Sequence, residues 1–152
     1  MNPLNIPDLS LFHHSTPIQI RFNDVDVLGH VNNTVYFCFY DTGKAHYMQA
    51  VEGRTIDWQH VDAVIANIDC AFMAPILFQE KIEVLTTCSA IHDKSFRLLQ
   101  IIREADTKQI KSMCESVMVH FDPASGRPTP IDPGWREAVE KFEGRVIPSE
   151  KK

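Results

Sequence analysis

The chain has 152 residues, of which 44% are hydrophobic and 23% charged, and a formal net charge of −5. That is the size and balance of one globular domain with a core of its own, and the acidic balance argues against non-specific nucleic-acid binding as the main role. No run of about 18 apolar residues is available for a membrane span, and residues 1–10 lack the basic and apolar regions of a signal peptide, so a cytoplasmic protein is expected.

Residues 1–15 carry two prolines and no steady period, and read as an extended arm. His13 and His14 end it; no third ligand follows at a metal-binding spacing, so they read as surface residues. Residues 16–22 alternate, with Ile18, Ile20 and Phe22 on one side, and predict the first strand. Residues 23–32 form a polar loop containing Asp24, Asp26, Gly29, His30 and Asn32. From residue 33 to 51 the period lengthens: Tyr36, Tyr40, Gly43, Tyr47 and Ala50 or Val51 make an apolar helical stripe. Asn32 or Asn33 is the candidate N-cap. Asp41 and Lys44 lie off the stripe at a pairing distance of i,i+3. Gly43 costs a helix roughly 1 kcal/mol against alanine, which close approach to another backbone would offset. Val35, Tyr36, Phe37, Phe39 and Tyr40 together predict a helix largely wrapped by other elements, its aromatics core rather than a ligand cage.

Gly53 closes the helix and residues 54–60 connect to a series of strands. These are expected at 62–73, 80–92, 94–104 and 109–121, with Pro75, His92-Asp93 and residues 105–108 as the breaks. Alternating segments joined by short turns are antiparallel hairpins. Residues 122–130 read as an irregular exit. Asp132 as N-cap and Pro133 at the first helical position open a short helix to about Phe142, and residues 143–152 read as a charged, frayed tail. One aromatic-rich helix on about five antiparallel strands is an α+β single domain over residues 1–152. Its outer sheet face is left to solvent or a second copy. Neither a Gly-x-Gly-x-x-Gly fingerprint nor a P-loop is present. Cys38, Cys70, Cys88 and Cys114 form no Cys-x-x-Cys pair; each lies in an apolar segment and reads as a buried free thiol.

The residues that carry chemistry concentrate at 21–36. Asp24 reads as a loop aspartate that satisfies backbone N–H groups. Asp26 differs, because Gly29 permits a tight bend and His30 and the helix start follow within about seven residues. A carboxylate so placed can attack a carbonyl or deprotonate a water that does. The N–H groups of Asn33 and Thr34 at the helix start would face the developing oxyanion. His30 either braces the loop or polarises the carbonyl and orients water. Asn32 and Asn33 shape the loop by their side chains, and Tyr36 packs.

Asp24-x-Asp26-x-x-Gly29-His30-Val31-Asn32-Asn33-x-x-Tyr36 resembles the signature of the 4-hydroxybenzoyl-CoA thioesterase family, acyl-CoA thioesterases of the hotdog fold. The resemblance covers roughly residues 16–121. It implies a long central helix in an antiparallel sheet, a catalytic aspartate at Asp26 and an oxyanion donor at the Asn33 N–H. Lys94-Ser95-Phe96 resembles a family element near the coenzyme A phosphates, which implies Lys94 and Ser95 as substrate-binding residues. It further implies a homodimer or dimer of dimers whose site is completed by the partner, an acyl-CoA substrate, and no metal or other cofactor. The acyl pocket is expected between the aromatic helix and residues 62–73. The loop is also similar to the Asp-x-Asn-x-His set of acyl-ACP thioesterases, with Asp26 first and His30 last, but Leu28 stands at the middle position. Val27 stands where the benzoyl-CoA branch often has proline, so an aryl substrate is not implied. The alternatives to an acyl-CoA thioesterase are an acyl-ACP thioesterase and a non-catalytic acyl-CoA-binding protein on the same fold. Whether Asp26 acts as base or nucleophile stays open.

Overall fold

The aromatic stripe forms one long helix, α1 (Asn33–Glu52), capped at its start by the Asn32 side chain and ended by Gly53 in the left-handed conformation (φ 65°). The computed structural model describes residues 5–149. Around α1 lie β1 (His14–Ile18), β2 (Ala63–Phe72), β3 (Ile82–Ile91), β4 (Ser95–Glu104), β5 (Ile110–Asp122), the short β6 (Arg127–Pro128) and a second helix, α2 (Pro133–Glu143). The long strands run antiparallel in the order β1-β3-β4-β5-β2, and β6 pairs with β5. One helix held by a curled sheet of five long strands is the hotdog arrangement. The first strand begins two residues earlier than its alternation suggests and ends at Ile18, because Ile20 is followed by the turn that opens the Asp26 loop.

The face of α1 against the sheet is the predicted one. Tyr36, Phe39, Tyr40, Gly43, Tyr47 and Val51 are buried. Its first half packs with Val31, Ile76, Ile82, Val84, Ile102 and Cys114. Its second half packs with Cys88, Ile91, Phe96, Leu98, Met118 and, from α2, Val139. At Gly43 the helix meets side chains rather than another backbone: a Cβ there would lie 2.5 Å from Val84 Cγ1. Beside it Gln100, on β4, donates from Nε2 to the Tyr40 carbonyl and to Thr86 Oγ1 (2.9 and 3.1 Å), so a buried polar side chain is satisfied where helix and sheet touch. The outer face of the sheet is partly covered by the chain itself, since Leu85, Ile101 and Met113 pack under Phe12 of the N-terminal arm.

Two expectations near the ends of the described residues are corrected. His14 is not a surface residue: it starts β1, and its ring packs against Tyr47 and Phe142 (centroids 5.7 and 6.2 Å apart). The tail after α2 is docked rather than frayed as far as Ser149. Ile147 is 1% exposed, the Pro148 carbonyl accepts from the Ile91 N–H (3.0 Å), and the Ser149 hydroxyl donates to the Ile91 carbonyl (2.7 Å). An apolar residue inside a charged tail is the signal for this. Residues 1–4 and 150–152, the rest of arm and tail, lie outside the described residues. Of the four cysteines only Cys88 and Cys114 are buried; Cys70 is half-buried and Cys38 exposed, and all four are free thiols.

Candidate active site

The loop between β1 and α1 is built by its own backbone. A short 3-10 turn (Phe22–Asp24) leads in. The chain then folds into a small hairpin: Val25 bridges Val31, the Asp26 N–H donates to the His30 carbonyl (2.9 Å), and the Gly29 N–H donates to the Asp26 carbonyl (3.0 Å). Gly29 takes φ 76°, which favours glycine. The hairpin is fixed to the body of the fold by the Val31 N–H on the Ile76 carbonyl (2.8 Å) and by a bridge between His30 and Leu77.

Two aspartates in this loop have opposite environments. Asp24 is 1% exposed and accepts from the Arg21 N–H (2.7 Å) and from the Arg21 guanidinium (2.9 Å). Burial pushes its acid up, but the side-chain and backbone hydrogen bonds from Arg21 outweigh it, and the net position is below the usual carboxylate range. Its acceptor capacity is spent on the loop. Asp26 is half-buried, and its carboxylate accepts one hydrogen bond among the described residues, from the Leu28 N–H (2.9 Å). With Phe22, Asn23, Val25 and Phe78 it lines a cleft of about 550 Å³.

At the helix start the two expected oxyanion donors separate. The Thr34 N–H is taken by the Asn32 side chain (3.0 Å), which also accepts from the Thr34 hydroxyl (2.7 Å). The Asn33 N–H has no acceptor among the described residues. An N-cap side chain can satisfy only some of the four free N–H groups of a helix start, and here it leaves Asn33 available. The His30 ring is half-buried and makes no hydrogen bond to Asp26; the two residues are joined through their backbones. Tyr36 packs: its ring meets Phe72 edge-on at 5.1 Å, and burial pushes its phenol up to about 12.

Lys94 and Ser95 are not brought to this loop within one chain. Lys94 is exposed in the β3–β4 turn, and Ser95 lines a separate cleft of about 830 Å³ with His92, Asp93, Arg97 and Arg136. That cleft shares no lining residue with the Asp26 cleft. Phe96, next to Ser95, packs with the second half of α1, whereas Val31 and Ile76 hold the Asp26 loop to its first half. A 20-residue helix is about 30 Å long, so acid and turn lie towards opposite ends of it.

A third groove, of about 600 Å³, runs along the second half of α1. Lys44, Met48, Ile56, Trp58, Ile65 and Phe96 are among its lining residues. Tyr36, Phe39 and Tyr40 in the first half of α1 are core, as expected, and the groove beside Ala63 and Ile65 runs along the second half of the helix. Trp58 was missed from the sequence; a tryptophan 73% exposed in a connector is the feature that marks it. Among the described residues no group of three or more His, Cys, Asp or Glu side chains is arranged to hold a metal ion, and no helix is long and apolar enough to cross a membrane.

The family described as the thioesterase-like superfamily matches residues 20–139, which include the Asp26 loop, α1 and all the long strands after it. The chain belongs to that superfamily. Its fold is shared with a thioesterase from Thermus thermophilus, whose crystal structure is complexed with coenzyme A and zinc. That match has a TM-score of 0.80 at 26% identity and covers 90% of this chain and 98% of that one. The 1,4-dihydroxy-2-naphthoyl-CoA thioesterase Slr0204 from Synechocystis has the same fold, with a TM-score of 0.73 at 16% identity over 83% and 94% of the two chains. A curated relative, the uncharacterized protein YsmA of Bacillus subtilis, is 22% identical over 87 residues; the match spans 57% of this chain and 58% of that protein's length. Thioester hydrolysis, the enzyme class expected from the sequence, is the class of this family.

Proposed function

We propose that the protein hydrolyses acyl-CoA thioesters to a free acid and coenzyme A, with Asp26 as general base or nucleophile. The observation that carries this reading is an under-bonded Asp26 carboxylate on the same short loop as an unused Asn33 N–H at a helix start. Asp26 either adds to the thioester carbonyl carbon or takes a proton from a water that adds there. In both routes the carbonyl oxygen becomes an oxyanion, received by the Asn33 N–H and the positive end of α1. Collapse of that intermediate breaks the C–S bond and releases the coenzyme A thiolate; in the base route the thiolate takes the proton held by Asp26, and in the nucleophile route the acyl group is left on Asp26 as a mixed anhydride, which water hydrolyses to the free acid and the restored carboxylate. His30, one half of the loop's anchoring bridge to Leu77, would orient water or the carbonyl.

The active form would be a homodimer or a dimer of dimers. β2 is an edge strand carrying exposed Val64, Ile65, Ile68 and Phe72. An exposed apolar edge is a template for pairing. Two copies joined antiparallel along it would set their α1 helices antiparallel. Asp26 of one copy would then lie beside the groove, Lys94 and Ser95 of the other. The groove around Met48, Ile56, Trp58 and Phe96 would take the acyl group. Lys94 and Ser95 would take the phosphates. Free thiols and a coenzyme A substrate both fit a cytoplasmic location.

The test is release of free coenzyme A thiol from short, medium, long and aryl acyl-CoAs by the wild type beside Asp26→Asn. An asparagine keeps an acceptor for the Leu28 N–H, so the loop is retained. A fall of about 100-fold or more, typical of losing an acid–base group, is expected. Equal turnover would remove Asp26 from the chemistry. Binding of acyl-CoA without turnover in the wild type would favour a binding module, and turnover of acyl-ACP alone would change the carrier.

A further inference from the structure

Two thiols have no place in the chemistry at Asp26. Cys70 on the edge strand β2 stands directly opposite Cys114 on β5. Both face α1, in the core cluster that holds Tyr36 and Tyr40. Their pairing type follows from the ladder. The Met73 N–H donates to the Lys111 carbonyl (2.8 Å), which makes that a hydrogen-bonded pair. Counting back through the register Phe72↔Ser112, Ala71↔Met113, Cys70↔Cys114, the types alternate, so the cysteines form a non-hydrogen-bonded pair. In such pairs the Cα atoms are about 4.5 Å apart and the side chains are closest. This lies at the short end of the roughly 4.4–6.8 Å that a disulfide spans.

The surroundings are polar for a core. Cys70 Sγ lies 3.4 Å from the Ser112 hydroxyl, which accepts from the Tyr40 hydroxyl (2.7 Å) and reaches the Ala71 carbonyl (2.9 Å). A hydrogen bond from the Cys114 thiol, helped by the Ser112 and Tyr40 hydroxyls, lowers the Cys70 thiol below its ordinary range against the effect of burial. The same hydrogen bond, with burial, raises Cys114. Of the two, Cys70 is also the one that is half-exposed.

We propose that Cys70 and Cys114 are a redox-modification site, at which a peroxide oxidises Cys70 and Cys114 then closes a reversible disulfide across the β2–β5 ladder. In the first step the Cys70 thiolate attacks the peroxide, the O–O bond breaks, and sulfenic acid and an alcohol or water form. In the second, the Cys114 sulfur attacks the Cys70 sulfur; the S–O bond breaks, and hydroxide leaves as water with the Cys114 proton. The sulfurs lose two electrons in total and the peroxide gains them. A dithiol reverses the bridge by exchange. The bridge pins the edge strand that carries Ile65 and Phe72. It does not depend on the reaction at Asp26.

The experiment treats the purified wild type, Cys70→Ser and Cys114→Ala with hydrogen peroxide near pH 7, counts thiols, and maps non-reduced peptides. The wild type is expected to lose two of its four thiols, yield a Cys70–Cys114 linked peptide, and recover both thiols with dithiothreitol. Cys114→Ala is expected to trap dimedone on Cys70 and to form no bridge. Cys70→Ser is expected to leave Cys114 unmodified. In the wild type, alkylation of Cys70 by iodoacetamide should level off at a pH below the usual thiol range near 8.5, a readout that needs no variant. Peroxide that spares Cys70 and Cys114 while oxidising Cys38, thiol loss in Cys70→Ser equal to that of the wild type, or an alkylation profile still climbing through 8.5 would each overturn the proposal.

Discussion

The two ends of α1 each present a carboxylate, and they differ in how fully it is used. At the N-terminal end Asp26 is half-buried and accepts one hydrogen bond. At the C-terminal end Glu143 of α2 is 3% exposed and accepts from the Tyr47 hydroxyl (2.7 Å), the Thr87 hydroxyl (2.9 Å) and the Cys88 N–H (2.9 Å). Arg145 adds a longer ionic contact at 3.9 Å and itself donates to the Cys88 carbonyl (2.7 Å). A buried charge persists only when it is paired and hydrogen-bonded. Glu143 meets that condition, with both oxygens already accepting from the fold. Asp26 keeps its lone pairs because it stays near water. The lesson is that a saturated carboxylate is architecture and an unsaturated one is available for chemistry, even at the two ends of one helix.

The largest effect that would break this contrast is at Glu143. Glu143→Leu leaves two hydroxyls and an N–H without their acceptor, and should cost about 3–5 kcal/mol. Urea unfolding would read it. Glu143→Gln keeps one acceptor oxygen and should cost much less. The complementary variant, Asp26→Asn, should lower turnover by about 100-fold or more while leaving the unfolding midpoint nearly unmoved. If Glu143→Leu proved as stable as the wild type, the C-terminal network would not be what holds α2 to β3.

Between the ends, Gly43 sets how close the helix comes to the sheet. Gly43→Ala would put a Cβ 2.5 Å from Val84 Cγ1 and 3.3 Å from Gln100 Nε2. Helix propensity favours the alanine by roughly 1 kcal/mol, but overpacking of this kind costs about 1–3 kcal/mol. A net loss of about 1 kcal/mol is expected by urea unfolding. The double variant Gly43→Ala with Val84→Ala should recover part of it. A gain in stability from Gly43→Ala alone would mean that helix and sheet separate easily at this point.

The contrast was half legible in the sequence. The helix, the long strands and the Asp26 loop could be read because each depends on local pattern: a 3.6-residue stripe, a 2-residue alternation, a glycine before a histidine. The preference for Asp24 as a loop brace was readable for the same reason, since its partner Arg21 is three residues away. The Glu143 network was not, because its partners lie 55 to 96 residues away and the glutamate sits in what reads as a charged tail. The groove behind Trp58 escaped for a related reason, being built from α1, a connector and three strands that only the fold brings together. The loss of Thr34 as an oxyanion donor turned on which of two asparagines is the cap, and both fit the pattern.

The smallest effect expected is a pH dependence at the C-terminal end. His14 packs against Tyr47 and Phe142, and its buried Nδ1 has no partner among the described residues. Burial lowers its pKa below the usual histidine value, nearby His46 lowers it further, and Glu143 only partly opposes them. The unfolded chain, with a histidine pKa near 6.5, therefore takes up the proton first. Stability is fully present above about that pH and is lost as pH falls through the lower value held in the fold. His14→Gln removes the titration. The difference in unfolding free energy between wild type and variant should then shrink as pH is lowered from 7.5 towards 5, by less than any change above. A constant difference across that range would mean that the ring reaches water in the folded state.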